Sequence, residues 1–238
     1  MCYNIIMKVY AISDFHMSNT TDKPMDVFGE NWVGYIDKII DDWKQKVGDD
    51  DLVLIGGDTS WAMKLEDAVI DINTLSNLPG KKILIKGNHD YWWSSISRVR
   101  ESLPDGFFAL QNDSLRFDGV VVCGSRCWSV PGSPDFGDHD MKLYLRETER
   151  LKLSLKDAQK LRQEGDKLIA LIHYPPFNVK REDTLFTQIF EEFKVDTVVY
   201  GHLHGKNVRS DKLWIKNDIK YYLTSCDQVD NKLTEIIL

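Results

Sequence analysis

Cysteine is scarce in this 238-residue chain and nowhere clustered. Cys2, Cys123, Cys127 and Cys226 include one close pair, with three residues between them, in and just beyond an apolar run. A disulfide framework or a zinc knuckle needs tighter, repeated spacing, so reduced and buried thiols in a cytoplasmic protein are the expectation. Long apolar runs are also missing: no stretch approaches the ~18 residues of a membrane span. The N-terminus "MCYNIIMKVYAIS" carries one lysine and passes straight into a strand, so it does not read as a signal peptide, and Met7 would serve equally well as a start. The first six residues therefore read as a dispensable leader. Positive charge is in deficit, with 30 Lys+Arg against 37 Asp+Glu and a net charge of -7, which gives no long-range help in holding a polyanion and argues against long nucleic acid as a partner. No Pro/Gly/Ser-rich linker, low-complexity tract or internal repeat divides the chain, and a single domain over residues 1–238 is the expected organisation.

What is present is a set of short apolar runs ending in polar turns. "KVYAIS", "DLVLIGG", "KKILIK", "GVVVCGS", "KLIALIH" and "VDTVVYG" are brief and rich in Val, Ile and Leu, as expected for strands covered on both faces. Helical periodicity covers residues 32–47, 65–78, 141–165 and 184–194. The alternation predicts an α/β fold with a largely buried sheet. Residues 212–226 and 232–238 read as further strands, with a turn at Asn217-Asp218.

The informative residues stand where those strands end. The first run ends in "SDFH" (Asp14, His16), the second in "GGD" (Asp58) and the third in "GNHD" (Asn88, His89, Asp90). Two later runs end in "HYPP" (His173) and "GHLHG" (His202, His204). Ligands of open α/β sheets bind beyond the carboxyl ends of the strands, so five strands deliver Asp, His or Asn to the edge where a site is expected. Five of the six histidines lie there; His139 is the exception and reads as a solvated loop residue. One strand-end histidine is commonly structural, but five together with two aspartates and an asparagine require many independent accidents.

The ordered blocks "DFH", "GGD", "GNHD", "LIHYPP" and "GHLH" resemble those of the calcineurin-like metallophosphoesterases, from Asp14 to His204. The resemblance implies a four-layer α/β/β/α sandwich of two packed sheets, with a pair of divalent transition metals at one end. It places one metal on Asp14, His16, Asp58 and His204, and the other on Asp58, Asn88, His173 and His202. Asp58 would bridge both ions and so stand at the catalytic centre. His89 would stay off the metals and act as general acid.

The chemistry is consistent with that assignment. Mixed imidazole and carboxylate donors suit Mn, Fe or Zn. Two divalent ions about 3.5–4 Å apart clamp the oxygens of an in-line displacement and generate a hydroxide at neutral pH. Asn88 would contribute an oxygen without a further negative charge, leaving the centre positive enough to bind a phosphate. The expected activity is hydrolysis of a small phosphodiester or phosphomonoester.

The second block departs from G-D-x-x-D-R-G of the protein serine/threonine phosphatases: "GDTSWAM" puts Trp61 and Ala62 where the Asp-Arg pair would be. Phosphoprotein substrates are thereby disfavoured, and the group that orients His89 is left open between Asp90 and a backbone carbonyl. Substrate contacts must come from elsewhere, and Arg126 in the Gly/Pro-rich loop "GSRCWSVPGSPDFGDHD" is a candidate phosphate contact against a structural ion pair. Trp61, Tyr91, Trp92 and Trp93 either wall a cleft or pack the core beneath it. Nucleases, cyclic-nucleotide phosphodiesterases and lipid A pathway pyrophosphatases share much of the block pattern. A catalytically idle scaffold that binds protein partners is the reading from a different class, and such a protein would have no reason to keep His89.

Overall fold

The computed structural model describes residues 7–206, 208 and 210–238. The proposed leader and Cys2 lie outside the described residues. Eleven strands are described: β1 (Val9–Ile12), β2 (Leu52–Ile55), β3 (Lys81–Leu84), β4 (Phe107–Ala109), β5 (Ser114–Phe117), β6 (Val120–Ser125), β7 (Lys167–Ile172), β8 (Thr197–Tyr200), β9 (Leu213–Lys216), β10 (Ile219–Leu223) and β11 (Thr234–Glu235). Five α-helices accompany them: α1 (Tyr35–Lys46), α2 (Leu65–Asn73), α3 (Ile96–Ser102), α4 (Asp140–Leu161) and α5 (Leu185–Glu192). All six apolar runs form strands, and the four periodic stretches form α1, α2, α4 and α5 with somewhat closer bounds than the pattern predicts.

Two sheets result. The first has strand order β11-β1-β2-β3-β4, parallel except at β11, and the second has order β5-β6-β7-β8-β10-β9, parallel from β6 to β10. The outer strands β5 and β9 pair antiparallel. Between β9 and β10, Asn217 and Asp218 both have positive φ (49° and 63°), the backbone a two-residue hairpin of this twist demands.

The alternation of strand side chains separates three apolar layers. Tyr10 and Ile12 of β1 and Val53 and Ile55 of β2 face one cluster, shared with Ile39 and Trp43 of α1 and Ala68 and Ile72 of α2. Their neighbours Val9, Ala11, Leu52 and Leu54 face the opposite way, into a cluster with Val120, Val122, Ile169, Leu171 and Val199 of the second sheet. On the far side, Val121, Leu168, Ala170, Val198 and Tyr221 meet Leu151 and Leu155 of α4 and Phe186 and Phe190 of α5. The order is therefore helices, sheet, sheet, helices: the expected four-layer sandwich. Every residue of β1, β2 and β8 is buried, which explains why these strands read as unbroken apolar runs.

Candidate metal centre

The strand ends converge on one edge of the sandwich. Asp14 and His16 follow β1, Asp58 follows β2, Asn88 and His89 follow β3, His173 follows β7, and His202 and His204 follow β8. These turns are strained. Asp14 (φ 59°), His16 (49°), Asp58 (52°) and His202 (69°) all occupy the left-handed region, which side chains other than glycine rarely adopt and which clusters at functional sites. Two glycines permit the close approach. A Cβ on Gly87 would lie 2.0 Å from Asp58 Oδ1, and one on Gly201 would lie 2.5 Å from Asp14 Oδ2.

Asp14, His16, Asp58 and His204 each offer a donor atom within 4.8 Å of the others, a group able to hold a metal ion. On the other side of Asp58, His173 Nε2 lies 3.5 Å from Asp58 Oδ2. That nitrogen is also 2.7 Å from Asn88 Oδ1, and His202 Nδ1 is 2.8 Å from the same oxygen. All seven candidate ligands are thus within one small volume, with Asp58 between two groups.

The donor set fits a cation. His16 Nδ1, His16 Nε2 and Asp58 Oδ2 are buried with no hydrogen-bond partner among the described residues. Burial pushes His16 and His202 down to about 3, so both rings are neutral and present lone pairs. His173 is lowered by burial as well, and its Nδ1 lies 2.8 Å from the carbonyl oxygen of Gly56. A proton held on Nδ1 by that carbonyl leaves Nε2 unprotonated, facing the oxygens of Asn88 and Asp58. Burial, and then the charges of Asp90 and Asp14, drive Asp58 up to about 9. A carboxylate in that position needs positive charge beside it to remain ionised.

Asp90, one of the two groups the sequence leaves open, does not orient the His89 ring. Its buried carboxylate instead accepts the backbone N–H groups of Asp58 (2.8 Å), Thr59 (2.8 Å), Ser60 (3.3 Å) and Gly87 (2.7 Å), and the indole N–H of Trp92 (2.9 Å). It therefore holds the turn after β2 against the turn after β3. The backbone N–H of His89 donates to Asp58 Oδ1 at 2.7 Å and completes the link. The His89 ring packs against Trp61, with centroids 4.6 Å apart, and Trp61 also stacks on His16 at 4.6 Å. His89 Nδ1 is buried without a partner among the described residues, so neither a carboxylate nor a carbonyl holds the ring there. The residue that departs from the phosphatase pattern is the one that contacts the histidine, a role that needed the fold to be seen.

The remaining candidates divide. Trp92 and Trp93 are core residues, whereas Tyr91 is exposed. His139 is exposed, as expected, and Cys123, Cys127 and Cys226 are free and buried. Arg126 sits immediately beyond β6, and its carbonyl oxygen accepts the N–H of His173 at 3.2 Å. Its guanidinium lies over Trp128 (4.6 Å) and 4.0 Å from Glu147. Beside His202 and His204 opens a cleft of about 530 Å³ walled partly by Tyr174, Phe177 and Leu203.

The family model for calcineurin-like phosphoesterases matches residues 7–206, and the chain belongs to that family. Among solved structures it is similar to TT1561 of Thermus thermophilus, with TM-score 0.61, 12% identity, and 97% of this chain and 98% of that one covered. It is also similar to AQ665 from Aquifex aeolicus, a protein of unknown function, with TM-score 0.50, 16% identity, and 96% and 95% covered. At such identities these likenesses concern the fold alone. No curated protein matches the chain significantly. No helix among the described residues is long and apolar enough to cross a membrane.

Proposed function

We propose that the chain is a dinuclear-metal phosphoesterase that hydrolyses a small phosphodiester or phosphomonoester, with His89 as general acid. The observation that carries this reading is the pair of donor groups meeting at Asp58, with His16 and Asp58 Oδ2 buried and unpartnered among the described residues. Asp14, His16, Asp58 and His204 would hold one ion, and Asp58, Asn88, His173 and His202 the other. Nitrogen and oxygen donors in these proportions favour Mn, Fe or Zn. Two such ions would supply an activated water at neutral pH and would neutralise charge on the phosphoryl oxygens.

The chain's own residues supply the rest. His89 is half-buried beside the donor groups, and its imidazole, when protonated, would donate to the departing oxygen. Burial, with the charges of His173 and His204, holds its pKa below the usual histidine range. An anionic substrate drawn alongside acts in the opposite sense. The cleft by His202 and His204 is of a size suited to a small organic group. Trp61 and buried Ala62 provide no arginine for a phosphoprotein, so phosphoproteins are not expected substrates.

A scaffold role is the second reading, and an acid histidine turned toward the centre counts against it. A panel of aryl phosphodiesters, phosphomonoesters and nucleotides with added Mn²⁺ separates the two. The enzyme reading expects metal-dependent hydrolysis of at least one class, abolished by a chelator. Tight metal binding with no hydrolysis across the panel would favour the scaffold.

A further inference from the structure

A second opening, of about 290 Å³, lies at the same sheet edge and is strongly basic. Lys86, Arg126, Arg146 and Arg150 face it, with Glu147 as its one carboxylate. Arg150 Nη1 and Arg146 Nη2 reach Glu147 Oε1 at 2.7 and 3.1 Å, with Arg126 at 4.0 Å, while Ser125 Oγ donates to Oε2 at 3.3 Å. One buried carboxylate needs one cation; here four cations line the opening that holds it, an excess of three positive charges on a chain of net charge -7.

That excess is more than Glu147 needs. Arg146 and Arg150 stand four apart on α4, where like charges repel along one helix face. Ser94 Oγ, also at this opening, is buried and has no partner among the described residues. Neither feature serves packing, and both suit an anion with several acceptor oxygens.

The position is equally specific. In the order β6-β7-β8, the basic opening gathers at Arg126 beyond β6, and the partly apolar cleft at His202 beyond β8. His173, beyond β7, stands between them. We infer that the basic pocket receives a second phosphate of the substrate, so that the preferred substrates are small diesters with an organic arm on one side of the scissile phosphate and a phosphorylated arm on the other. This rests on the phosphoesterase reading above.

The test compares two diesters with one leaving group: the 4-nitrophenyl ester of thymidine 5′-phosphate, with and without a 3′-phosphate. The wild type should prefer the 3′-phosphorylated ester by about ten-fold or more in kcat/KM, chiefly through KM, as expected for charge-assisted hydrogen bonds. In Arg146→Ala and Arg150→Ala the ratio should fall toward one, with Arg150→Lys recovering part of it. Equal kcat/KM for the two esters in the wild type would overturn the inference. Turnover of neither ester would count against diester hydrolysis itself, and the pocket is then read directly by calorimetry with inorganic phosphate. The wild type should bind one phosphate more per chain than Arg146→Ala, in which Arg150 and Ser125 still hold Glu147. Identical binding by the two proteins would overturn the subsite.

Discussion

At the scale of single residues, the reading turns on two rings, His89 and Trp61. A general acid matters in proportion to how badly the leaving group needs a proton. His89→Ala should therefore keep its metals and slow hydrolysis of an alkyl ester by about two to four decades, while a nitrophenyl ester loses much less. Equal losses on both esters would mean that His89 positions substrate and does not donate. Trp61 packs on that ring and also stacks on His16, so its variants are compared at equal metal content. Trp61→Ala should cost the alkyl ester about ten- to a hundred-fold more than the nitrophenyl ester, with Trp61→Phe recovering most of it. Uniform loss, or no recovery by Phe, would reduce Trp61 to a packing residue.

At the scale of elements, the turns after β2 and β3 are locked together by one carboxylate. Both oxygens of Asp90 accept N–H groups: Thr59, Ser60 and Trp92 on Oδ1, Asp58 and Gly87 on Oδ2. Burial pushes Asp90 upward and the donors pull it back, but no acceptor among the described residues faces either oxygen, so the geometry fits the ionised form. Asp90→Asn would turn an NH₂ against N–H donors in either orientation. It should destabilise the protein by about 3 kcal/mol or more in denaturant titration. A change below about 1 kcal/mol would show that the turns hold without it.

This scale also decides what the sequence reveals. The strands that carry the ligands were legible because both faces are buried, which writes continuous Val/Ile/Leu runs. β4 ("FFA") and β5 ("SLRF") went unread, being short, partly exposed and without a period. So did α3, of seven residues. The candidate ligands stand out in the sequence because each sits where an apolar run stops. The work of Asp90 and Trp61 does not, because it consists of contacts across about thirty to forty-five residues of chain that no local pattern records.

At the scale of the whole molecule, the proposed centre would link metal binding to stability and pH. In the metal-free fold Asp58 is raised to about 9 from the usual carboxylate value. Between the two pKa values the folded chain holds a proton that the unfolded chain has lost, so this group's contribution is present at acid pH and is lost as pH rises toward 9. His16 and His202, held near 3, act oppositely: below about 6.5 the unfolded chain binds protons the folded one refuses, so stability falls on acidification. Of these three groups only Asp58 still acts above neutrality, and a bound cation removes its effect by displacing the proton. The rise in Tm on adding metal should thus be larger at pH 9 than at pH 7, by scanning calorimetry on chelated and reloaded protein. A rise that shrinks over this interval would contradict the assignment of Asp58.

The central claim is that Asp58 joins two metal sites. Elemental analysis of the purified protein and of Asp58→Ala, each with its fold verified by circular dichroism, tests it directly. The account predicts two transition-metal ions per chain in the wild type and the loss of both, together with phosphoesterase activity, in the variant. Two ions still bound to a folded Asp58→Ala protein would contradict it.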